Sequence, residues 1–478
     1  MSQQPTLRTA EPFRHDREIR RQTRADFPDQ SWRWRRRPRH PFNKGLKHLT
    51  PCSHTRHPRF NPAIPLASQK CHNTSSRPLD TLVAMRVAFA FGLCLIAGVL
   101  TTTTMTEGRL AALPRQAIGV TAAGSAPARV ALGRLLFWDP VLSGNRDVAC
   151  ATCHHPDFAY SDGRDLSLGT NAVGLGPARR SAGAQPIVPV RRNSPTLVNV
   201  AFNGLTLDKP GDGASAPMFW DMRVRSLEAQ ALEPIKAHDE MRGDAYTERD
   251  AVSAVVARLA ATAEYRRLFA AAFNDRDAVN AANLGRALAA FERTLAAPNS
   301  PFDRYMRGES GAMTDEQVRG MERFESAGCA NCHSGAMFSD FAPHVLGVPD
   351  NPALAESDAG AGAYAFRTPS LRNVGLTAPY MHDGVFSSLD EVLTFYRRVS
   401  FGRGRGGRGR GRLTVAVRGV NPNVSRDTMD PLLRQLNMRG RGQRELISFL
   451  HALDDPDFDR AVPTRVPSGL QVGGRIER

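Results

Sequence analysis

The chain has 478 residues, of which 41% are hydrophobic and only 7% aromatic, with 63 Lys+Arg against 47 Asp+Glu. That length suits two or three domains with sizeable cores, and the many Ala and Leu residues favour helices. Residues 1–84 hold 17 Lys+Arg against 6 Asp+Glu, +11 of the net +16, so the basic balance belongs to the leader and argues against a nucleic-acid partner for the remainder.

Residues 1–84, with Trp-Arg-Trp-Arg-Arg-Arg at 32–37, are rich in Pro, His and Arg and show no periodicity. They read as a disordered basic arm or, preferably, as a stretch upstream of a true start at Met85. Val87–Leu100 is a short, mostly apolar run directly behind Met85-Arg86. It has the pattern of a secretory signal and is short for a membrane span. No clean small-x-small cleavage site follows, so residues 85–112 are expected to form a signal peptide or an uncleaved anchor. The expected location is the periplasm, with membrane attachment only if the leader is retained.

From Ala131 onward, helical patterns alternate with Gly/Pro-rich loops. Thr247–Phe273 and Ala281–Ala297 carry apolar residues at three- and four-residue spacing, and Pro298-Asn-Ser-Pro301 breaks the pattern. Thr314 with Gln317 predicts a capping box for a helix running into Cys329, and Ser388 with Glu391 predicts another for Leu389–Val399. Phe401–Arg412 alternates Gly and Arg and reads as a solvated loop rather than an RNA-binding tail. Arg441–Leu453 predicts a last amphipathic helix. No alternating strand pattern of useful length appears, and a boundary near 305–313 divides the chain into two units.

Each unit holds one Cys-x-x-Cys-His near its start: Cys150, Cys153 and His154, then Cys329, Cys332 and His333. At that spacing two thiols add to the vinyl groups of one haem, and the imidazole that follows lies under the iron. A Cys-x-x-Cys pair also suits a redox dithiol or half a zinc site. Zinc would require the two pairs to converge and leaves each trailing His unexplained. The other cysteines, Cys52, Cys71 and Cys94, all precede residue 100. Two covalently bound haem c groups are therefore expected. Their thioether attachment takes place outside the bacterial cytoplasm, in agreement with export.

An ordered series of motifs then resembles one family, the bacterial di-haem cytochrome c peroxidases and their MauG-like relatives, over roughly Ala131 to Leu453. The series comprises Leu-Ser-Gly before Cys150, Arg192-Asn193-Ser-Pro195-Thr196, Phe219-Trp220-Asp221, Glu240-Met241 and Phe291-Glu-Arg-Thr-Leu295. It continues with Pro301-Phe302-Asp303, Phe366-Arg367-Thr368-Pro369-Ser370-Leu371-Arg372-Asn373 and Pro379-Tyr380-Met381-His382-Asp383-Gly384. The resemblance implies a mainly α fold of two cytochrome c-like helical domains, each with one c-type haem. These would be an N-terminal peroxidatic domain at 127–310 and a C-terminal electron-transfer domain at 313–456, followed by a tail at 457–478.

In this family peroxide reacts at the first haem, and the second receives electrons or stores oxidising equivalents. By position, Glu240 resembles the acid–base residue that moves a proton between the peroxide oxygens, and Gln230 the amide beside it. Gln230 lies ten residues after Trp220, and Glu240 ten after that. Many members carry a removable distal His where this chain has Thr170, and no His occurs between His155 and His238. The first haem is therefore expected to be permanently five-coordinate, with His155 pointing elsewhere. For the second haem, the position of the usual distal Met is Tyr396, the MauG-like choice, with Met381 as a competitor. Trp220 matches an electron-relay tryptophan. Asn193, with the backbone carbonyls of Thr377 and Pro379, matches a calcium site, and His382 would pack near the second haem's propionates.

The implied function is peroxide reduction to water, with electrons from a small donor protein relayed through the second haem. A MauG-like oxidase that uses highly oxidised haems to modify a partner protein is the alternative. A non-catalytic di-haem electron carrier is a distant third.

Overall fold

The computed structural model describes residues 109–116, 127–209, 215–401, 419–438 and 442–477. Residues 1–84, the Val87–Leu100 run and the Gly/Arg alternation beyond Phe401 lie outside the described residues.

The first lobe is built from α1 (Pro127–Trp138), α2 (Cys150–Cys153), α3 (Leu227–Gln230), α4 (Glu233–Lys236), α5 (Glu248–Ala261), α6 (Ala263–Phe273) and α7 (Ala281–Glu292). The helical spacing over Thr247–Phe273 is realised as two helices, because Thr262 adopts extended backbone between α5 and α6. The side chain of Thr247 caps α5, and that of Asn280 caps α7. α1 and α7 form the central pair, and glycine lets them touch. A Cβ on Gly133 would lie 1.9 Å from the carbonyl oxygen of Ala287. Around them Leu136, Phe137, Tyr265, Phe269, Leu284 and Phe291 make the main core.

The second lobe contains α8 (Pro301–Met306), α9 (Asp315–Ser326), α10 (Leu389–Phe401) and α11 (Gln443–His451). Thr314 and Gln317 form the predicted capping box of α9. At α10 the amide of Glu391 donates to Ser388 Oγ as expected, but the Glu391 carboxylate reaches back to the amide of Ser387. The α9–α11 pair repeats the device of the first lobe, since a Cβ on Gly320 would lie 2.0 Å from the carbonyl oxygen of Glu445. Phe302, Phe324, Phe338 and Phe449 pack edge-on with centroids 5.0–6.0 Å apart. Three two-residue antiparallel ladders complete the described structure: β1 (Ala172–Val173) with β2 (Arg180–Ser181), β3 (Pro217–Met218) with β4 (Val224–Arg225), and β5 (Pro343–His344) with β6 (Phe366–Arg367).

Two boundaries differ from expectation. Residues 457–477, expected as a tail, return to the first lobe and close it. The amide of Gly473 donates to the carbonyl of Trp138 at 2.7 Å, Thr152 Oγ1 donates to the carbonyl of Gly473, and Phe458 and Val466 enter the main core. Their apolar residues are too irregularly spaced to announce an element. Residues 109–113 are likewise built into the body. Leu110 and Leu113 are buried, the amide of Gly335 donates to the carbonyl of Arg109, and the amide of Leu113 donates to Asp303 Oδ1. The expected leader limit at residue 112 thus falls inside a packed segment.

Candidate active site

In the first lobe, α2 carries Cys150 and Cys153, and His154 follows as its C-cap. His154 Nδ1 lies 3.0 Å from the carbonyl of Tyr160, and Ser194 Oγ approaches the ring at 3.3 Å. Donation to that carbonyl leaves Nε2 as the ligating nitrogen, and burial holds the ring in the neutral form that binds metals. The second lobe repeats the arrangement, with His333 Nδ1 3.0 Å from the carbonyl of Phe338. Burial, then Glu292, pushes the Cys150 thiol well above its usual range, and burial with Asp162 raises Cys153 to about 12. A redox dithiol needs the opposite shift, so these buried thiols fit thioether attachment. The two pairs also occupy different lobes. Among the described residues the one metal-like cluster is Cys332, Asp340 and His344, which excludes a shared zinc site. The residues present fit two haem groups.

Electrostatically coupled to the first site is the π turn His238–Arg242. Glu240 lies on it, and burial, followed by the neighbouring Asp239, raises its carboxyl to about 7. Its charge is felt at both Cys150 and Cys153. Gln230 ends α3, one short helix before the turn. The amide of Thr170 donates to the carbonyl of Glu240 at 3.1 Å. The two nearest histidines face elsewhere. His155 packs edge-on against Trp138, as expected, while His238 pairs with Asp244 at the surface.

Cys329, Cys332 and His333 line an apolar cavity of about 230 Å³ that also receives Tyr396, Met381, His382, Trp220, Asn193, Thr377 and Pro379. Tyr396 projects from α10, and burial, then Cys332 and Cys329, raises its phenol well above the usual range. His382 is 4% exposed and stacks on Phe366 at 3.7 Å. Burial lowers it to about 4, so it stays neutral.

Four of the sequence motifs interlock around Trp220. Its indole N–H donates to the carbonyl of Asn193 at 3.1 Å, and the amide of Asn193 donates to the carbonyl of His382 at 2.8 Å. The amide of Arg367 donates to the carbonyl of Trp220, while Arg192 pairs with both Asp221 and Asp358. Asn193 Nδ2 donates to the carbonyl of Arg164, which leaves Oδ1 as the oxygen available to a cation.

Sequence reasoning missed two groups. His344 is held by Asp340 at 2.9 Å and Asp430 at 2.5 Å, and Asp340, then Cys332, raises it to about 11. It belongs to no motif. Glu292 is buried beside the first site although its motif, Phe291-Glu-Arg-Thr-Leu295, is visible in the sequence.

Two half-buried Cys-x-x-Cys-His sites with an indole hydrogen-bonded between the segments around them define a di-haem c-type redox protein. A family profile described as di-haem cytochrome c peroxidase matches residues 127–311. The methylamine utilization protein MauG of Methylorubrum extorquens is 35% identical over 333 residues, 68% of this chain and 78% of that protein. The cytochrome c551 peroxidase of Pseudomonas aeruginosa is 32% identical over 284 residues, 57% of this chain and 72% of that protein. A solved MauG-like protein associated with microbial copper homeostasis matches at a TM-score of 0.54 and 27% identity, covering 72% of this chain and 94% of that one. This chain belongs to the di-haem cytochrome c peroxidase family. It is an oxidoreductase with haem cofactors and a mostly helical fold. Among the described residues no helix is long and apolar enough to cross a membrane.

Proposed function

We propose that the protein reduces hydrogen peroxide to water at the haem of Cys150, Cys153 and His154, with electrons from a small exported donor protein passing through the haem of Cys329, Cys332 and His333. The first haem supplies the iron at which peroxide is activated. His154 holds the proximal side, its orientation fixed by the Tyr160 carbonyl. Glu240 takes the proton of the near peroxide oxygen and returns it to the far one, and Gln230 orients the peroxide by hydrogen bonding. Trp220 carries electrons between the lobes, and Tyr396 ligates the second iron. His382 packs near that haem's propionates, and Asn193 Oδ1 binds calcium with the carbonyls of Thr377 and Pro379. On this reading the lobes are the peroxidatic and electron-transfer domains of a periplasmic enzyme.

The observation that carries the reading is Glu240. A half-buried carboxyl whose charge is felt at both first-site cysteines, and which is poised near neutral pH, suits proton shuttling and has no use in a pure electron carrier. Turnover of peroxide with reduced cytochrome c, compared between the wild type and Glu240→Gln, tests it. A second reading, oxidation of a partner protein, is favoured by Tyr396 at the second cavity and by the likeness to MauG.

A further inference from the structure

Peroxide reduction consumes two protons with two electrons, H2O2 + 2 H+ + 2 e− → 2 H2O. Glu240 moves a proton within the peroxide but adds none. The bulk protons therefore need a way into a buried site.

Glu292 is the last residue of α7 and only 4% exposed. Its Oε2 is fully buried and has no hydrogen-bond partner among the described residues. A buried oxygen without a partner is costly to keep, so its retention calls for a reason beyond packing. Gly285, seven residues earlier and on the same helical face, abuts α3, where a Cβ would lie 2.4 Å from the carbonyl oxygen of Glu228. α3 is the helix that ends in Gln230. The Glu292 charge is the strongest of those felt at Cys150, ahead of Cys153 and Glu240. The charges of Arg293 and Glu228, which pair with each other at 2.7 Å, also act on it. The Glu228 side chain is 33% exposed and so reaches water. Glu292 is thus coupled on the one hand to Glu228, which reaches solvent, and on the other to Cys150 of the first site. Burial raises Glu292 to about 7, so it gives and regains a proton with little cost.

We propose that Glu292 is the inner station of a proton route that starts at Glu228 and feeds the first haem pocket. The proposal rests on the peroxidase reading. In each turnover the two electrons come from the donor protein. Two protons enter through Glu228 and Glu292, the O–O bond breaks, and both oxygens leave as water.

The test uses holoenzyme carrying Glu292→Gln, Glu292→Asp and Glu228→Gln, with haem content and Soret spectrum as controls of folding. Redox-driven infrared difference spectra should contain a carboxylic-acid carbonyl band that disappears in Glu292→Gln. Peroxide turnover should fall at least about tenfold, with a larger solvent deuterium isotope effect and recovery in Glu292→Asp. Glu228→Gln should give a milder loss of the same kind. If Glu292→Gln keeps both the band and full turnover, the route is wrong. If the band is lost while the wild type itself does not turn over peroxide, the peroxidase reading falls and the proton station stands. Should Glu292→Gln fail to load haem, an unchanged turnover and isotope effect in Glu228→Gln overturns the route on its own.

Discussion

The indole N–H of Trp220 donates to the backbone carbonyl of Asn193, and the amide of Asn193 donates in turn to the carbonyl of His382. One residue of the first lobe thereby joins the ring between the two sites to the His-Asp-Gly turn of the second. A neutral carbonyl leaves the indole its proton. Trp220→Phe should preserve both haem spectra yet slow reduction of the first haem by the second, as followed by stopped-flow absorbance. An unchanged rate would remove Trp220 from the relay.

Glu240 gives the pH dependence. Its folded value is raised to about 7 by burial, so it is protonated below that pH and becomes the active carboxylate above it. The peroxide rate constant kcat/KM should rise with pH up to about 7 and level off beyond. Glu240→Gln should lower it by about 100- to 10,000-fold and abolish that inflection. Steady-state kinetics across the range measures both.

Tyr396 lines the cavity of the second site. Its own surroundings keep the phenol protonated, so ligation requires the iron to displace that proton. Tyr396→Met should raise the second haem's reduction potential in spectroelectrochemical titration, because a thioether favours the reduced metal and an oxygen donor the oxidised one. No shift would leave the tyrosine as cavity lining.

Much of this was legible in the sequence. The Cys-x-x-Cys-His spacings, the α9 cap and the break around Pro298 are local signals, and the structure forms the cap and ends α7 at Glu292, ahead of Pro298. The reasons behind the motifs were not, because they are contacts between distant segments. Pro301-Phe302-Asp303 and the Arg372-Asn373 stretch look like separate signatures, but Arg372 and Asp303 form one ion pair at 2.8 Å with side chains 1% and 0% exposed. Arg372 also donates to the carbonyls of Ala336 and Ala111, which is how residues 109–113 are held. The Asp340–His344–Asp430 cluster escaped notice for the same reason: its third member comes from 86 residues away.

That ion pair makes a stability prediction. Asp303→Ala strands a buried guanidinium and the amide of Leu113. It should destabilise the second lobe by about 3–5 kcal/mol, read from denaturant unfolding of the holoprotein. A loss under 1 kcal/mol would mean that water replaces the pair.

The central claim is an iron in the first lobe that side chains leave open on one face. Thr170 stands where a histidine would ligate, and His155 and His238 both face away. Electron paramagnetic resonance of the fully oxidised protein tests this most directly. The account predicts a high-spin haem signal from the first site beside a low-spin signal from the second, without prior reduction. Two low-spin signals would contradict it.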